Sequence, residues 1–285
     1  MKIGFVQLAP VLGDPDATMQ KIDRLIQDKT ADLLVLPELC NSGYNFRDAT
    51  QAREWAEEIE HSGFIRFLEA KCSELDLHIV SGFNEMAGDH LYNTAVLVGP
   101  EGLQGKYRKI HLFMKEKDYF HPGDREPAVF DLGECKVGCL VCFDWIFPEV
   151  WRILALKGAD IICHPSNLVL PGLAQSAVPI HALSNRIFVV TANRTGKEGD
   201  LAFTGLSTIA DPRGNILLQA SGDKEEVGVV EIDPSLSSNK WVTPRNHIFD
   251  DRRPELYRYL VNSPPDSPGA EGRLKSKGKE REGNR

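Results

Sequence analysis

Lys136-Val137-Gly138-Cys139-Leu140-Val141-Cys142-Phe143-Asp144-Trp145-Ile146-Phe147-Pro148-Glu149 is the stretch on which the reading of the chain turns. Lys136–Val141 has the composition of a buried strand, and Pro148-Glu149 is a helix start, because proline suits the first helical turn. Cys142 therefore stands between a strand end and a helix start. That placement resembles a nucleophile elbow, with backbone N–H groups close by; the alternative is a buried structural thiol. The spacing Cys135-x3-Cys139-x2-Cys142 also matches one used to hold iron–sulfur clusters, but those ligands converge from a loop. On a strand, Cys139 and Cys142 would project from opposite faces, so no cluster and no metal is expected.

Outward from this stretch, short apolar runs alternate with amphipathic ones. Ile3–Leu8 reads as a strand, Asp14-Pro15-Asp16 opens a helix to about Thr30, and Leu33–Leu36 is a buried-type strand. A helix over Phe64–Leu75 and strands at His78–Phe83, Thr94–Val98 and Gly105–Lys109 follow. Gly99 to Gly105-Lys106 is one residue too long for a phosphate loop and has Tyr107 where Ser or Thr would hold magnesium, so it reads as a hairpin turn. The second half repeats the pattern: helices at Pro148–Lys157 and Ser176–Arg186, strands at Asp160–Cys163, Phe188–Ala192, Thr204–Ala210, Ile216–Gln219 and Val227–Ile232. Strand–helix alternation mixed with tight turns predicts an α/β fold with mixed sheets. No internal sequence repeat and no linker stands before residue 262.

The 285 residues are 42% hydrophobic and 26% charged, with a net charge of −8. Charged residues interrupt every apolar run before membrane-spanning length is reached. Met1-Lys2-Ile3-Gly4-Phe5-Val6 enters a strand directly, so no signal or transit peptide is expected. An acidic chain is a poor partner for nucleic acid unless its bases cluster. They cluster in the tail from Ser263, whose single large aliphatic residue, Leu274, predicts disorder over 261–285. Six sparse cysteines without an export signal point to a reducing cytoplasm.

Two further residues lie where α/β proteins place their chemistry, at strand ends. Leu33–Pro37 delivers Glu38 to the edge of an apolar core, a setting that suits a general acid or base, or a mere cap. Lys109, in Tyr107-Arg108-Lys109-Ile110-His111-Leu112-Phe113, is flanked by apolar residues and can turn inward. Taken together, the segments around Glu38, Lys109 and Cys142 resemble the three signature blocks of the nitrilase superfamily of carbon–nitrogen hydrolases. Asn41-Ser42-Gly43-Tyr44, Tyr92-Asn93-Thr94-Ala95, Pro122-Gly123-Asp124, His164-Pro165-Ser166-Asn167 and Asp251-Arg252-Arg253-Pro254-Glu255 match as well. The resemblance runs from residue 1 to about 259.

The resemblance implies a four-layer αββα sandwich over residues 1–260, pairing through its helical faces into a homodimer or higher oligomer. It implies a Cys142 nucleophile, a Glu38 base and a Lys109 electrostatic stabiliser, and no cofactor. Glu116 matches a second glutamate that positions substrate, while Tyr44, Phe113, Phe143, Trp145, Phe147 and Asn167 are the expected pocket. The implied substrate is a small amide, N-carbamoyl compound or nitrile. Ile146 stands where relatives acting on α-keto acid amides often carry Arg, and the Cys-Phe-Asp-Trp form is nearer to aliphatic amidases, N-carbamoyl amine hydrolases and archaeal-type nitrilases. A non-catalytic interaction protein on the same fold is the alternative from another class.

Overall fold

The computed structural model describes residues 1–262. The tail read as disordered lies, from residue 263 onward, outside the described residues. Packing separates a unit of Met1–Lys240 from one beginning at Trp241. Within the second unit, Trp241–Thr243 pairs antiparallel with Asn246–His247, and two 3-10 turns follow at Pro254–Leu256 and Arg258–Leu260.

The first unit begins β1 (Lys2–Gln7), α1 (Pro15–Ile26), β2 (Leu33–Val35), α2 (Ala49–Glu54), α3 (Gly63–Leu75), β3 (His78–Ala87), β4 (His90–Gly99) and β5 (Gly102–Arg108). It continues α4 (Glu116–Tyr119), β6 (Val129–Asp131), β7 (Lys136–Cys139), α5 (Pro148–Leu156), β8 (Ile161–Ser166), α6 (Leu173–Asn185) and β9 (Phe188–Asn193). A small hairpin of β10 (Lys197–Glu198) and β11 (Leu201–Ala202) precedes β12 (Thr208–Ala210), β13 (Ile216–Gln219) and β14 (Glu226–Glu231). Two six-stranded sheets result, in the orders β14-β1-β2-β3-β4-β5 and β13-β12-β9-β8-β7-β6.

Both sheets are mixed, as the alternation of helical crossovers and tight turns predicts. From β14 to β5 the successive pairings run antiparallel, parallel, parallel, antiparallel, antiparallel. From β6 to β13 they run in the same series. The two halves thus share one architecture without a sequence repeat, because only the period of apolar residues, not their identity, sets the element type. The sheets face each other through β1, β2 and β3 against β8 and β9, with α1 and α3 outside the first sheet and α5 and α6 outside the second. This is the αββα sandwich. Central strands with both faces covered read as unbroken apolar runs, Leu33-Leu34-Val35 and Phe188-Val189-Val190 among them.

Local signals explain most boundaries. Asp14 caps α1 by accepting from the Ala17 N–H at 2.9 Å, Pro15 occupies the first turn, and Ile22 and Ile26 are buried. α1 stops at Ile26 rather than near Thr30, since Asp28-Lys29-Thr30 offers no apolar side chain to bury. β3 and β4 form one long hairpin, paired from Ile79↔Val98 to Ala87↔His90, where two short strands were expected. Buried polar residues Asn84, Glu85 and Asn93 hide its length from a hydrophobicity reading. α2, α4 and β6, three to six residues each, carried no usable period. Gly99↔Gly102 closes the β4–β5 hairpin at the expected turn.

Candidate active site

The site lies where the chain leaves β2, β5, β7 and β8. After β2, Leu36-Pro37-Glu38-Leu39 turns sharply, with Leu39 at φ +51°. The turn rests on β3: the Gly82 N–H donates to the Pro37 carbonyl at 3.0 Å, and the Cys40 N–H donates to the Gly82 carbonyl at 3.0 Å. A Cβ at residue 82 would stand 2.3 Å from Glu38 Cα, so only glycine allows this approach. The Glu38 side chain is wholly buried.

Lys109 follows β5, and its ammonium, also buried, stands between two carboxylates. Nζ lies 2.7 Å from Glu38 Oε1 and 2.8 Å from Glu116 Oε2. Asn93 Nδ2, from β4, donates to the same Glu38 Oε1 at 2.7 Å. Glu38 Oε2 is buried and has no hydrogen-bond partner among the described residues. Glu116 is held separately, accepting from the Tyr44 hydroxyl at 2.7 Å and from the Phe113 N–H at 3.1 Å.

Cys142 is not on the strand. β7 ends at Cys139, and Cys142–Ile146 forms a 3-10 turn in which Cys142 has φ +42°. The strand-alternation reason given against a cluster therefore does not apply to Cys142. The backbone there is instead a positive-φ turn at a non-glycine residue, the kind of strain that functional sites carry. Two buried polar groups hold it. His164 Nε2 bonds the Cys142 carbonyl at 2.8 Å. Asp144 accepts from the Val141 N–H at 2.9 Å, from the Tyr107 hydroxyl at 2.9 Å and from His111 Nδ1 at 2.7 Å.

Burial, with the negative charge of Glu38 beside it, pushes the Cys142 thiol well above the ordinary range; Lys109 and the Asn167 N–H act the other way without prevailing. The resting group is a thiol, so nucleophilic attack requires a base. Burial works to lower Lys109, but Glu116 and Glu38 outweigh it and keep the ammonium charged. Burial likewise raises Glu116 against the pull of Lys109. Burial lowers His164 to about 4, leaving a neutral ring. The other five cysteines are buried and unpaired, and burial pushes Cys40, Cys72, Cys135 and Cys139 to about 12, out of reach of thiolate chemistry at neutral pH.

The expected pocket residues fall in three places. Phe113, Phe143, Trp145 and Asn167 line a narrow cavity over Cys142, and Asn167 Nδ2 also donates to the Glu38 carbonyl at 3.0 Å. Tyr44 lines an adjoining cavity with Glu116. Phe147 instead stacks on His111, centroids 3.6 Å apart.

The sequence reading missed a supporting shell. Asn93 and His164 were noted only within matching segments, and Asp144 only as part of the Cys142 block. Arg194 and Glu198 were not singled out. Buried Arg194 pairs with Glu198 at 2.6 Å, and Glu198 accepts from the Tyr44 and Asn45 N–H groups at 3.0 and 2.8 Å. The available signal was a polar residue interrupting an apolar strand, as in Thr191-Ala192-Asn193-Arg194.

Residues 2–239 match the carbon–nitrogen hydrolase family. A nitrilase of Pyrococcus abyssi is 49% identical over 260 residues, covering 90% of this chain and 99% of its own. A 2-oxoglutaramate amidase of Bacillus subtilis is 35% identical over 263 residues, covering 90% and 98%. A solved structure of a glutamate-to-glutamine mutant of the amidase from Nesterenkonia sp. AN1 shows Michael addition of acrylamide at its active-site cysteine. It superimposes with a TM-score of 0.76 at 26% identity, covering 91% of this chain and 99% of that one. With a buried thiol, a carboxylate and an ammonium gathered at strand ends of the same sandwich, the chain belongs to the carbon–nitrogen hydrolase family and is an enzyme of it.

Proposed function

We propose that Cys142 is the nucleophile, Glu38 the general base and Lys109 the oxyanion stabiliser in hydrolysis of a small amide, N-carbamoyl compound or nitrile. One observation carries the assignment. Lys109 and Asn93 saturate Glu38 Oε1 and leave Oε2 bare, in a site shared with a protonated thiol.

On an amide, Glu38 takes the thiol proton while the sulfur adds to the carbonyl carbon. The oxygen becomes an oxyanion facing the Lys109 ammonium, a preorganised charge worth about 3 kcal/mol of barrier. Collapse breaks the C–N bond, and the nitrogen leaves with the proton Glu38 held. Glu38 then removes a proton from water, hydroxide adds to the thioester, and the acid departs as the sulfur recovers its proton. A nitrile passes through a thioimidate. The 49% identical relative named nitrilase favours this as the second reading.

Residues 1–260 are the hydrolase domain in this reading, and six free cysteines suit a cytoplasmic setting. Among the described residues no helix is long and apolar enough to cross a membrane. Leu156, Ile180 and Leu183, exposed on the outer helices α5 and α6, support a homodimer through that layer, to be checked by sedimentation.

Cys142→Ala abolishes ammonia release from a panel of amides and nitriles while leaving the circular dichroism spectrum unchanged. Mass spectrometry of the unaltered enzyme quenched during turnover finds an acyl adduct on the Cys142 peptide. Substantial residual ammonia release by the alanine variant overturns the assignment.

A further inference from the structure

Two cavities meet at the site. The one over Cys142, bounded by Phe143, Trp145 and Asn167, has a volume of about 10 Å³. That is room for about one water-sized group. The other, about 250 Å³, opens beside Glu116 and Tyr44. Phe113, Val169 and Leu170 belong to both walls, so the two spaces are neighbours across those side chains. On the same measure the larger space is many times the smaller, room for an acyl chain of several heavy atoms.

The walls of the larger cavity are mostly carbon: Phe46, Phe120, Tyr119, Met114, Leu170 and Leu201. Phe46 and Phe120 are themselves core residues that fix its floor. Its one buried charge, Glu116, is already engaged by Lys109, the Tyr44 hydroxyl and the Phe113 N–H. Its other charge, Lys115, is exposed. A buried carboxylate on the substrate would find no desolvated partner here, and burying it unpaired is costly. A departing alkylamine takes up a proton and becomes a cation, and no unpaired carboxylate lines this wall to receive it. The small space over Cys142 accommodates the amide NH2 and no more.

We propose that the larger cavity is the acyl subsite, and that the preferred substrates are primary amides or nitriles of neutral, apolar acyl groups longer than acetyl. The proposal rests on Cys142 being the reacting atom. Each methylene moved from water to such a wall is worth about fourfold in affinity. Hexanamide therefore binds about two hundredfold more tightly than acetamide, and its ω-carboxylate analogue, adipic acid monoamide, gains almost none of that.

The test separates binding from chemistry. Titration calorimetry of the full-length Cys142→Ala protein with acetamide, butanamide, hexanamide, adipic acid monoamide and N-butylacetamide reads the subsite directly. Affinity rising along the first three and collapsing for the last two is the expected result. A flat series, or preference for the acid-tipped or N-alkylated compound, overturns the proposal whether or not the unaltered enzyme turns these compounds over. Leu201→Arg, placing a guanidinium on the wall, shifts the adipic acid monoamide-to-hexanamide affinity ratio upward by at least tenfold; an unchanged ratio places the acyl chain elsewhere. A protein that binds in this order but whose unaltered form hydrolyses nothing refutes the triad reading instead.

Discussion

His111 donates from Nδ1 to Asp144 at 2.7 Å, tying the segment that carries Lys109 to the turn that carries Cys142. With the Tyr107 hydroxyl and the Val141 N–H on the same carboxylate, Asp144 sets the position of the thiol relative to the ammonium. Asp144→Ala leaves the Tyr107 hydroxyl and the Val141 N–H buried without that acceptor, each orphan costing about 1–3 kcal/mol, and frees the half-buried His111. Urea unfolding of Asp144→Ala therefore gives a loss of about 3 kcal/mol or more. Tyr107→Phe, which removes one donor to Asp144 and the long 3.3 Å bond accepted from the Ile110 N–H, loses about 1 kcal/mol. Equal losses for the two would contradict this account.

Gly82→Ala places a methyl against Glu38 Cα and the Leu39 nitrogen, at 2.3 and 2.4 Å, and both are backbone atoms that cannot swing aside. The turn must shift by about an ångström, and misplacement on that scale costs about a hundredfold in rate. Overpacking adds about 1–3 kcal/mol of destabilisation. Measured kcat/KM falls by roughly two orders of magnitude in a protein that still folds. Activity within threefold of the unaltered enzyme would show that Glu38 tolerates the displacement.

Glu38 and Cys142 each stand just past an apolar run whose end is marked in the residues themselves, whereas Lys109 follows the basic stretch Lys106-Tyr107-Arg108 and was legible only through the resemblance of the three segments together to one family. What held them was not legible. Asn93, Glu85 and Asn84 lie inside a hairpin, and because their partners (Glu38, Thr94 and the Ala52 carbonyl) are distant in sequence, each looks on its own like a break in a strand. Cys142 shows the converse: Lys136–Val141 does look like a strand, but nothing in its composition announces a positive φ at the next residue. Long-range polar pairings and backbone strain are properties of the assembled sandwich, and hydrophobic periodicity is blind to both.

Acid unfolding follows from His164, which burial lowers to about 4 against an ordinary value near 6.5. Protonation is easier in the unfolded chain. Its contribution to stability is therefore complete above about pH 6.5 and is lost as pH falls towards 4. The shift corresponds to about 3 kcal/mol. Unfolding free energies at pH 7 and pH 4 should differ less in His164→Gln than in the unaltered protein by about that amount. Identical pH dependence in the two proteins would remove His164 from the explanation.

Glu198→Ala deprives buried Arg194 of its carboxylate and the Tyr44 and Asn45 N–H groups of their acceptor. Breaking a buried pair from one side costs about 3–5 kcal/mol. Differential scanning calorimetry should show a correspondingly lowered Tm. A further loss of kcat is expected where the variant is still folded, because Tyr44 carries the hydroxyl bonded to Glu116. An unaltered Tm would mean that the loop is held by other contacts.

β1 opens the sequence, yet its neighbour at the sheet edge is β14, with Lys2 opposite Glu231 and Gln7 opposite Glu226. During synthesis the first strand therefore waits for almost the whole catalytic unit to leave the ribosome before that edge is covered. Until then the nascent chain presents an open strand edge, even after every strand of the second sheet has been made. One edge of β1 pairs early, with β2, and the other is among the last to be covered, a long-range closure of the kind that slows folding.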